Sequence, residues 1–266
     1  MARGDQPPQV RTLKITLAYD GTRFVGWQRQ AAGDSVQGLI EAALARFEGA
    51  PVTVHGAGRT DAGVHALGQV ASAVVTCAHG TGVLARGLNG QLPRDVRVLS
   101  VTDAPAGFHA RFSARSKTYR YLLRNGAIGV PFERALVWHV GAPLDLERMN
   151  TAAGALAGTH DFSAFQSEGS GTATTTRTLR RSEVRVLPPP PHGLHGPEAG
   201  ILIAYEVDGD GFLRHMVRAV VGTLVEVGRG RRSPDTMVAL TAGAPRAQAG
   251  PTAPPHGLYL VRVDYA

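Results

Sequence analysis

The feature that most constrains this chain is a change of hydrophobic period that occurs twice in the same order. Residues 13–19 (LKITLAY) alternate large apolar with smaller or polar side chains, the period of a strand with one buried face. Asp20-Gly21 supplies a turn. From Val36 the spacing lengthens, and Val36, Leu39, Ile40, Ala43, Leu44 and Phe47 fall on one side of a helix. Asp34 with Gln37 three residues on is its candidate capping box. A short strand at 52–55, a glycine-rich loop, a strand at 67–76, a short helix through Val83, Leu84 and Leu88, and a strand at 96–101 complete the order β-α-β-β-α-β.

The second run repeats it. Strand period returns at 117–123. A helix is expected at 146–156, with Asp145 as cap and Gly158 just beyond its end. Strands at 178–187 and 201–207 precede a strongly apolar helix at 212–227. Ser233-Pro234 opens a smaller helix, with Ser as cap and Pro at the first position, and Leu258–Asp264 is the last strand. The expected fold is therefore α+β: two pseudo-repeated βαββαβ halves of ferredoxin-like type, forming a mixed, mainly antiparallel sheet flanked by helices. The halves are placed at 1–107 and 108–266, joined near 103–112.

No run of about 18 apolar residues exists, so no membrane span is expected. Residues 1–9 are polar, carry two prolines and read as a loose arm without the apolar stretch of a secretory signal. The single cysteine, Cys77, cannot form an internal disulfide, which fits a reducing, cytoplasmic setting. It ends an apolar run and reads as a small buried side chain. Pro188 to Pro191 open an exposed, semi-stiff loop. That loop holds His192 and His195, but with no third ligand nearby they are not read as a metal site.

Lys and Arg number 28 against 21 Asp and Glu, and only Lys14 and Lys117 are lysines. Arginine binds phosphate through a planar fork and stacks on bases, so the excess points to nucleic acid. Genomic base composition that favours Arg, Ala and Gly codons explains it equally well.

The segment GAGRTDAGVHALGQVA, residues 56–71, carries the chemistry. Gly56, Gly58 and Gly63 bracket Arg59 and Asp61, and glycines let the backbone turn tightly. An ionised aspartate on such a turn serves as nucleophile or general base. A surface Arg–Asp pair is the competing reading. A dinucleotide-binding loop fails, because its fingerprint needs Gly where Asp61 stands and a helix where 67–76 reads as strand.

This segment resembles the catalytic motif of the tRNA pseudouridine synthase A family. The resemblance extends through YDGTRFVGWQRQ (19–30), SVQGLIEAAL (35–44), LNGQLPRDVRV (88–98), FHARFSARSKTYRYLL (108–123), GTHDFSAF (158–165), FLRHMVRAVVGTLVEVG (212–228) and GLYLVRVDY (257–265). It implies an enzyme that isomerises uridine to pseudouridine in the anticodon stem-loop of tRNA, works as a homodimer and needs neither metal nor organic cofactor. Asp61 takes the place of the essential carboxylate. Attack on the sugar, attack on the base and proton removal at C2′ all stay open.

Around Asp61 the resemblance places Arg59, whose guanidinium either fills the gap left by an extruded base or merely pairs with Asp61. It places Tyr119 against the target base; Tyr121, on the same face, is read as core. On the apolar helix, Arg214, Arg218 and Gly222 share one stripe at i, i+4, i+8. A largely buried arginine needs an anionic partner, and Arg218 is expected to meet Asp61. Arg23, Arg29 and Arg214 are the candidate RNA contacts. His65, His109 and His160 are expected to satisfy backbone hydrogen bonds, Asp20 its turn, and Asp161 a cap. The rivals are a noncatalytic RNA-binding or tRNA-chaperone protein on the same fold, and a nucleotide-dependent oxidoreductase.

Overall fold

A computed structural model describes residues 10–167, 173–188 and 196–266. The loose N-terminal arm, and His192 and His195 in the proline-rich loop, lie outside the described residues. The chain forms two compact units, residues 1–115 with 260–266, and residues 116–259.

In the first unit the order is β1 (Arg11–Tyr19), α1 (Val36–Glu48), β2 (Val54–Gly56), β3 (His65–Val75), α2 (Thr81–Gln91) and β4 (Val96–Ala104). The antiparallel neighbours β4-β1-β3 form its sheet, with β2 antiparallel on the far side of β3. Alternation on β1 buries Leu13, Ile15, Leu17 and Tyr19, as its period requires. Ile40 and Leu44 of α1, with Leu84 and Leu88 of α2, are fully buried and supply the helical side of this core. Most of β10 (Leu258–Asp264) also belongs to this unit and runs beside β3. It does so where Gly68 has no side chain, since a Cβ there would stand 2.5 Å from the Val261 carbonyl oxygen.

The second unit holds β5 (Ser116–Asn125), β6 (Trp138–Val140), α3 (Leu146–Gly154), β7 (Gly158–Asp161), β8 (Thr176–Leu187), β9 (Ile201–Gly209), α4 (Met216–Gly228) and α5 (Thr236–Leu240). Its sheet runs β5-β9-β8-β7 in antiparallel steps, and β6 adds a parallel pair with β5. In each unit the first strand of the repeat lies beside the third, and the third beside the second. This is the α+β class expected: mainly antiparallel sheet, flanked by helices, in the βαββαβ order.

Several local expectations are corrected. Ser35, not Asp34, caps α1, accepting from the Gly38 N–H at 3.2 Å. Asp34 is taken by Arg23 at 2.9 Å, and the Gln37 side chain donates to Glu41 and to the Val54 carbonyl. The apolar helix begins at Met216 rather than at 212, because His215 sits in the left-handed region at φ 63°. Leu213 still packs inward, which prolongs the apolar pattern ahead of the helix, but Arg214 lies outside it and shares no helical stripe with Arg218. The small helix begins at Thr236, not at Pro234. Ser233 instead closes a turn, its hydroxyl accepting from the Asp235 N–H at 3.3 Å. Cys77 is half-buried rather than buried.

Helix α4 is buried almost all round, and residues 249–253 cross it closely. A Cβ at Gly222 would fall on the Pro251 carbonyl oxygen, while Thr223 accepts from the Gly250 N–H at 2.9 Å. Gly154, at the end of α3, has open space around it. Gly222→Ala should therefore lower the melting temperature by about 4–8 °C, from roughly 2 kcal/mol of overpacking. Gly154→Ala should leave it unchanged or slightly raised. Equal melting curves for the two variants would refute the close crossing.

Candidate active site

The loop between β2 and β3 presents Asp61, and the first unit holds that loop from below at several points. As β2 ends, the Ala57 N–H donates to the Val70 carbonyl at 2.8 Å and the Gln69 amide donates to the Gly58 carbonyl at 2.9 Å. Thr60 is buried, and its hydroxyl meets the Tyr19 hydroxyl at 2.9 Å. The Thr60 carbonyl accepts from the Trp27 N–H at 3.0 Å. Asp61 opens a turn closed by the Val64 N–H on its carbonyl at 3.1 Å, with Gly63 at φ 75° as the third residue. Side-chain alternation around the buried Thr60 leaves Arg59 exposed and Asp61 half-buried.

The segment 19–27 is the counterpart of this loop. Gly26, at φ 111°, lies under it, and a Cβ there would come within 2.5 Å of the Thr60 carbonyl oxygen. A Cβ at Gly56 would strike the Trp27 indole. The His65 Nδ1 lies 3.0 Å from the Gly21 N–H and 3.2 Å from the Asp20 carboxylate, bracing both residues of the Asp20-Gly21 turn. Burial pushes the Tyr19 hydroxyl up to about 12, with the Thr60 and Gln69 hydrogen bonds only partly opposing it. Tyr19 thus stays neutral at ordinary pH and acts as a fixed hydrogen-bond post.

The remaining candidates are placed as follows. Arg59 makes no ion pair among the described residues, so no bond to Asp61 occupies it. Arg23 is committed to Asp95 and Asp34, and the Asp95 bond above all raises its pKa. Arg29 is 76% exposed and stands 3.9 Å from Glu41. In the second unit, Tyr119 is buried edge-on to Phe212, with ring centroids 4.9 Å apart. Tyr121 is core, as read: its hydroxyl donates to the Pro254 carbonyl at 2.7 Å. Arg218 donates from Nε to the Ala253 carbonyl at 2.8 Å and acts electrostatically on Tyr121. Arg214 is exposed.

The histidines behave as expected. His160 bonds the Ala157 carbonyl at 2.9 Å, and His109 accepts backbone N–H groups. Asp20 accepts from the Thr22 N–H at 2.9 Å and Asp161 from the Ser163 N–H at 2.9 Å, both as local turn residues. Sequence reading missed Thr60, although its place between two outward-facing polar residues of a turn marks it as the anchor. It also missed that part of the basic excess is internal. Arg124 is buried in a two-pronged pair with Glu133, at 2.9 and 2.5 Å. The buried Glu206 carboxylate gathers Arg120, Arg185 and Arg181. Those arginines are engaged by the protein's own carboxylates.

A family model described as tRNA pseudouridine synthase matches residues 15–113 and 152–266. The tRNA pseudouridine synthase A of Geotalea uraniireducens (strain Rf4) is 41% identical over 256 residues, which cover 96% of this chain and 100% of the relative. That of Myxococcus xanthus is 44% identical, covering 95% of this chain and 91% of the relative. That of Moorella thermoacetica (strain ATCC 39073 / JCM 9320) is 43% identical, covering 95% and 99%.

The interlock makes a test. Gly26→Ala should displace the Thr60 carbonyl and speed amide hydrogen exchange across residues 57–64, with exchange in β1 and β4 little changed. Unchanged protection of 57–64 would mean that the loop is held elsewhere.

Proposed function

The chain belongs to the tRNA pseudouridine synthase family, and we propose that Asp61 is its catalytic carboxylate and the anticodon stem-loop of tRNA its site of action. The reaction isomerises uridine to pseudouridine in tRNA. The bond between N1 and C1′ breaks, the base turns, C5 bonds to C1′, and the proton lost from C5 is balanced by one gained at N1. Nothing is oxidised or reduced and no group leaves the nucleotide, so carboxylate chemistry with proton transfer closes the balance without a cofactor.

The observation that carries the Asp61 assignment is the turn itself. Thr60 and Gly63 lock the backbone on either side while the Asp61 side chain stays half-exposed. A preorganised carboxylate of this kind needs no reorganisation when the substrate arrives. Arg59, exposed and without an ion pair among the described residues, is free to fill the space an extruded uridine leaves. Tyr119 packs against the target base. Arg218 meets the Asp61 carboxylate and fixes its charge and direction. On this reading residues 1–107 carry the catalytic loop and residues 108–266 complete the cleft. Arg29 and Arg214, both exposed, are the better phosphate contacts. Arg23, already neutralised by two carboxylates, contributes less. The enzyme works as a cytoplasmic homodimer; among the described residues no helix is long and apolar enough to cross a membrane.

Unmodified tRNA transcripts treated with the protein, without added metal or cofactor, should gain pseudouridine in the anticodon stem-loop. Asp61→Asn should lower the rate at least about a hundredfold. Salt-sensitive binding without product would favour a noncatalytic tRNA-binding role, and product from Asp61→Asn at the normal rate would remove Asp61 from catalysis. Arg218→Lys keeps the charge and loses the planar fork. It should lower kcat while tRNA affinity and the melting temperature stay near those of the unaltered protein. An unchanged kcat would break the proposed contact with Asp61.

A further inference from the structure

Within the first unit, His55 and two rings some fifty residues further on, His109 and Phe112, form one continuous stack. His55 of β2 lies on His109 with centroids 4.7 Å apart and planes 28° from parallel, and His109 lies on Phe112 at 4.4 Å and 34°. The stack is held from its centre. The Ala110 N–H donates to the Ser72 hydroxyl on β3 at 3.0 Å. The His109 N–H donates to the Ser113 hydroxyl at 3.1 Å, and the Ser113 N–H returns to the His109 carbonyl at 2.9 Å. His109 Nδ1 accepts from the Arg111 N–H at 3.1 Å and from the Phe112 N–H at 3.4 Å. With Nδ1 an acceptor, the imidazole is neutral, and burial together with His55 and Arg111 favours that state.

The outer end of this stack is open. Phe112 is 77% exposed, more than any other large apolar side chain among the described residues. The Arg111 guanidinium lies 5.6 Å from the centre of its ring. An aromatic face presented to solvent at the end of a fixed stack, with a cation beside it, matches how proteins hold unpaired bases: the base stacks and the arginine takes the phosphate. Its place also fits. His55 precedes Asp61 by six residues, which caps their separation at roughly 20 Å. That is a distance one folded stem-loop spans. We propose that the His55–His109–Phe112 stack is a platform for an unpaired nucleobase of the bound tRNA, away from the target uridine, with Arg111 binding the adjoining phosphate. This rests on tRNA being the substrate. It assigns to Phe112 a role in positioning the RNA and none in the chemical step.

The test uses the full chain with Phe112→Ala, Phe112→Leu and Phe112→Trp, unmodified tRNA transcript, and both equilibrium binding and pseudouridine kinetics. Ala and Leu should raise Kd and KM by about 5- to 100-fold, the range of a lost base–aromatic stack. kcat at saturating tRNA and the melting temperature should hold, and Trp should bind as well as Phe. Arg111→Gln should reduce the slope of log Kd against log salt by about one. Equal Kd for Leu and Phe would overturn the proposal, because a merely apolar contact tolerates that exchange. So would a Phe112→Ala variant whose weaker binding is matched by dissociation of an oligomer in sedimentation, which would make the ring a contact between copies of the chain. Absence of pseudouridine from the unaltered protein would instead defeat the functional reading, while the Kd comparison would still decide the platform.

Discussion

The contact between the Thr60 carbonyl and the backbone over Gly26 and Trp27 is the constraint on which the candidate site rests. The Asp61 turn is only a few residues long and could not hold a geometry by itself, since fixing each residue costs about 1–2 kcal/mol of backbone entropy. The cost is offset by a second loop pressed against it. Gly26 admits the carbonyl, Gly56 admits the Trp27 ring, and Gly21 and His65 tie the far end. The glycines in this region therefore do two different jobs. Gly63 lets the chain turn, whereas Gly26 and Gly56 let two backbones meet. Tyr19 and Gln69, buried under the loop, convert the meeting into directed hydrogen bonds.

The second unit reaches rigidity by another route. Its apolar helix α4 is crossed by residues 249–253 at backbone distance, so that Arg218 sits between two fixed strings of atoms: its own carbonyl accepts from the Ala253 N–H and its Nε donates back to the Ala253 carbonyl. An arginine held by both backbone and side chain has its guanidinium aimed by the fold. Some charge in this unit is internal, as with Arg124 and Glu133. Removing one member of such a buried pair costs about 3–5 kcal/mol, so these residues belong to stability. Net charge alone thus overstates the surface open to RNA.

The long periodic elements could be read from the residues. The last strand has the bounds expected, Asp145 caps α3, and the order of elements repeats as the periods indicate. Strands β6 and β7, three and four residues long, carry too few alternations to stand out. The start of α4 was misplaced because a left-handed His215 interrupts a pattern that remains apolar. In the site, Asp61 stood out because glycines and an arginine surround it. Its anchor did not, because the Tyr19–Thr60 bond joins residues 41 apart, and no local pattern encodes a contact at that separation. The ring stack was hidden for the same reason: His55 and His109 come together only through Ser72 and the β2–β3 pairing.

The return of β10 to the first unit has a consequence for how the protein is made. A ribosome completes the first 115 residues long before it reaches Leu260, so the edge of β3 near Gly68 waits unpaired while the whole second unit is synthesised. Such an edge can join another chain's strand. The unit that carries Asp61 matures last although it is translated first, and its last strand closes sequence-distant contacts, the slowest kind to form. Vectorial synthesis thus leaves this edge of β3 open until nearly the whole polypeptide has emerged.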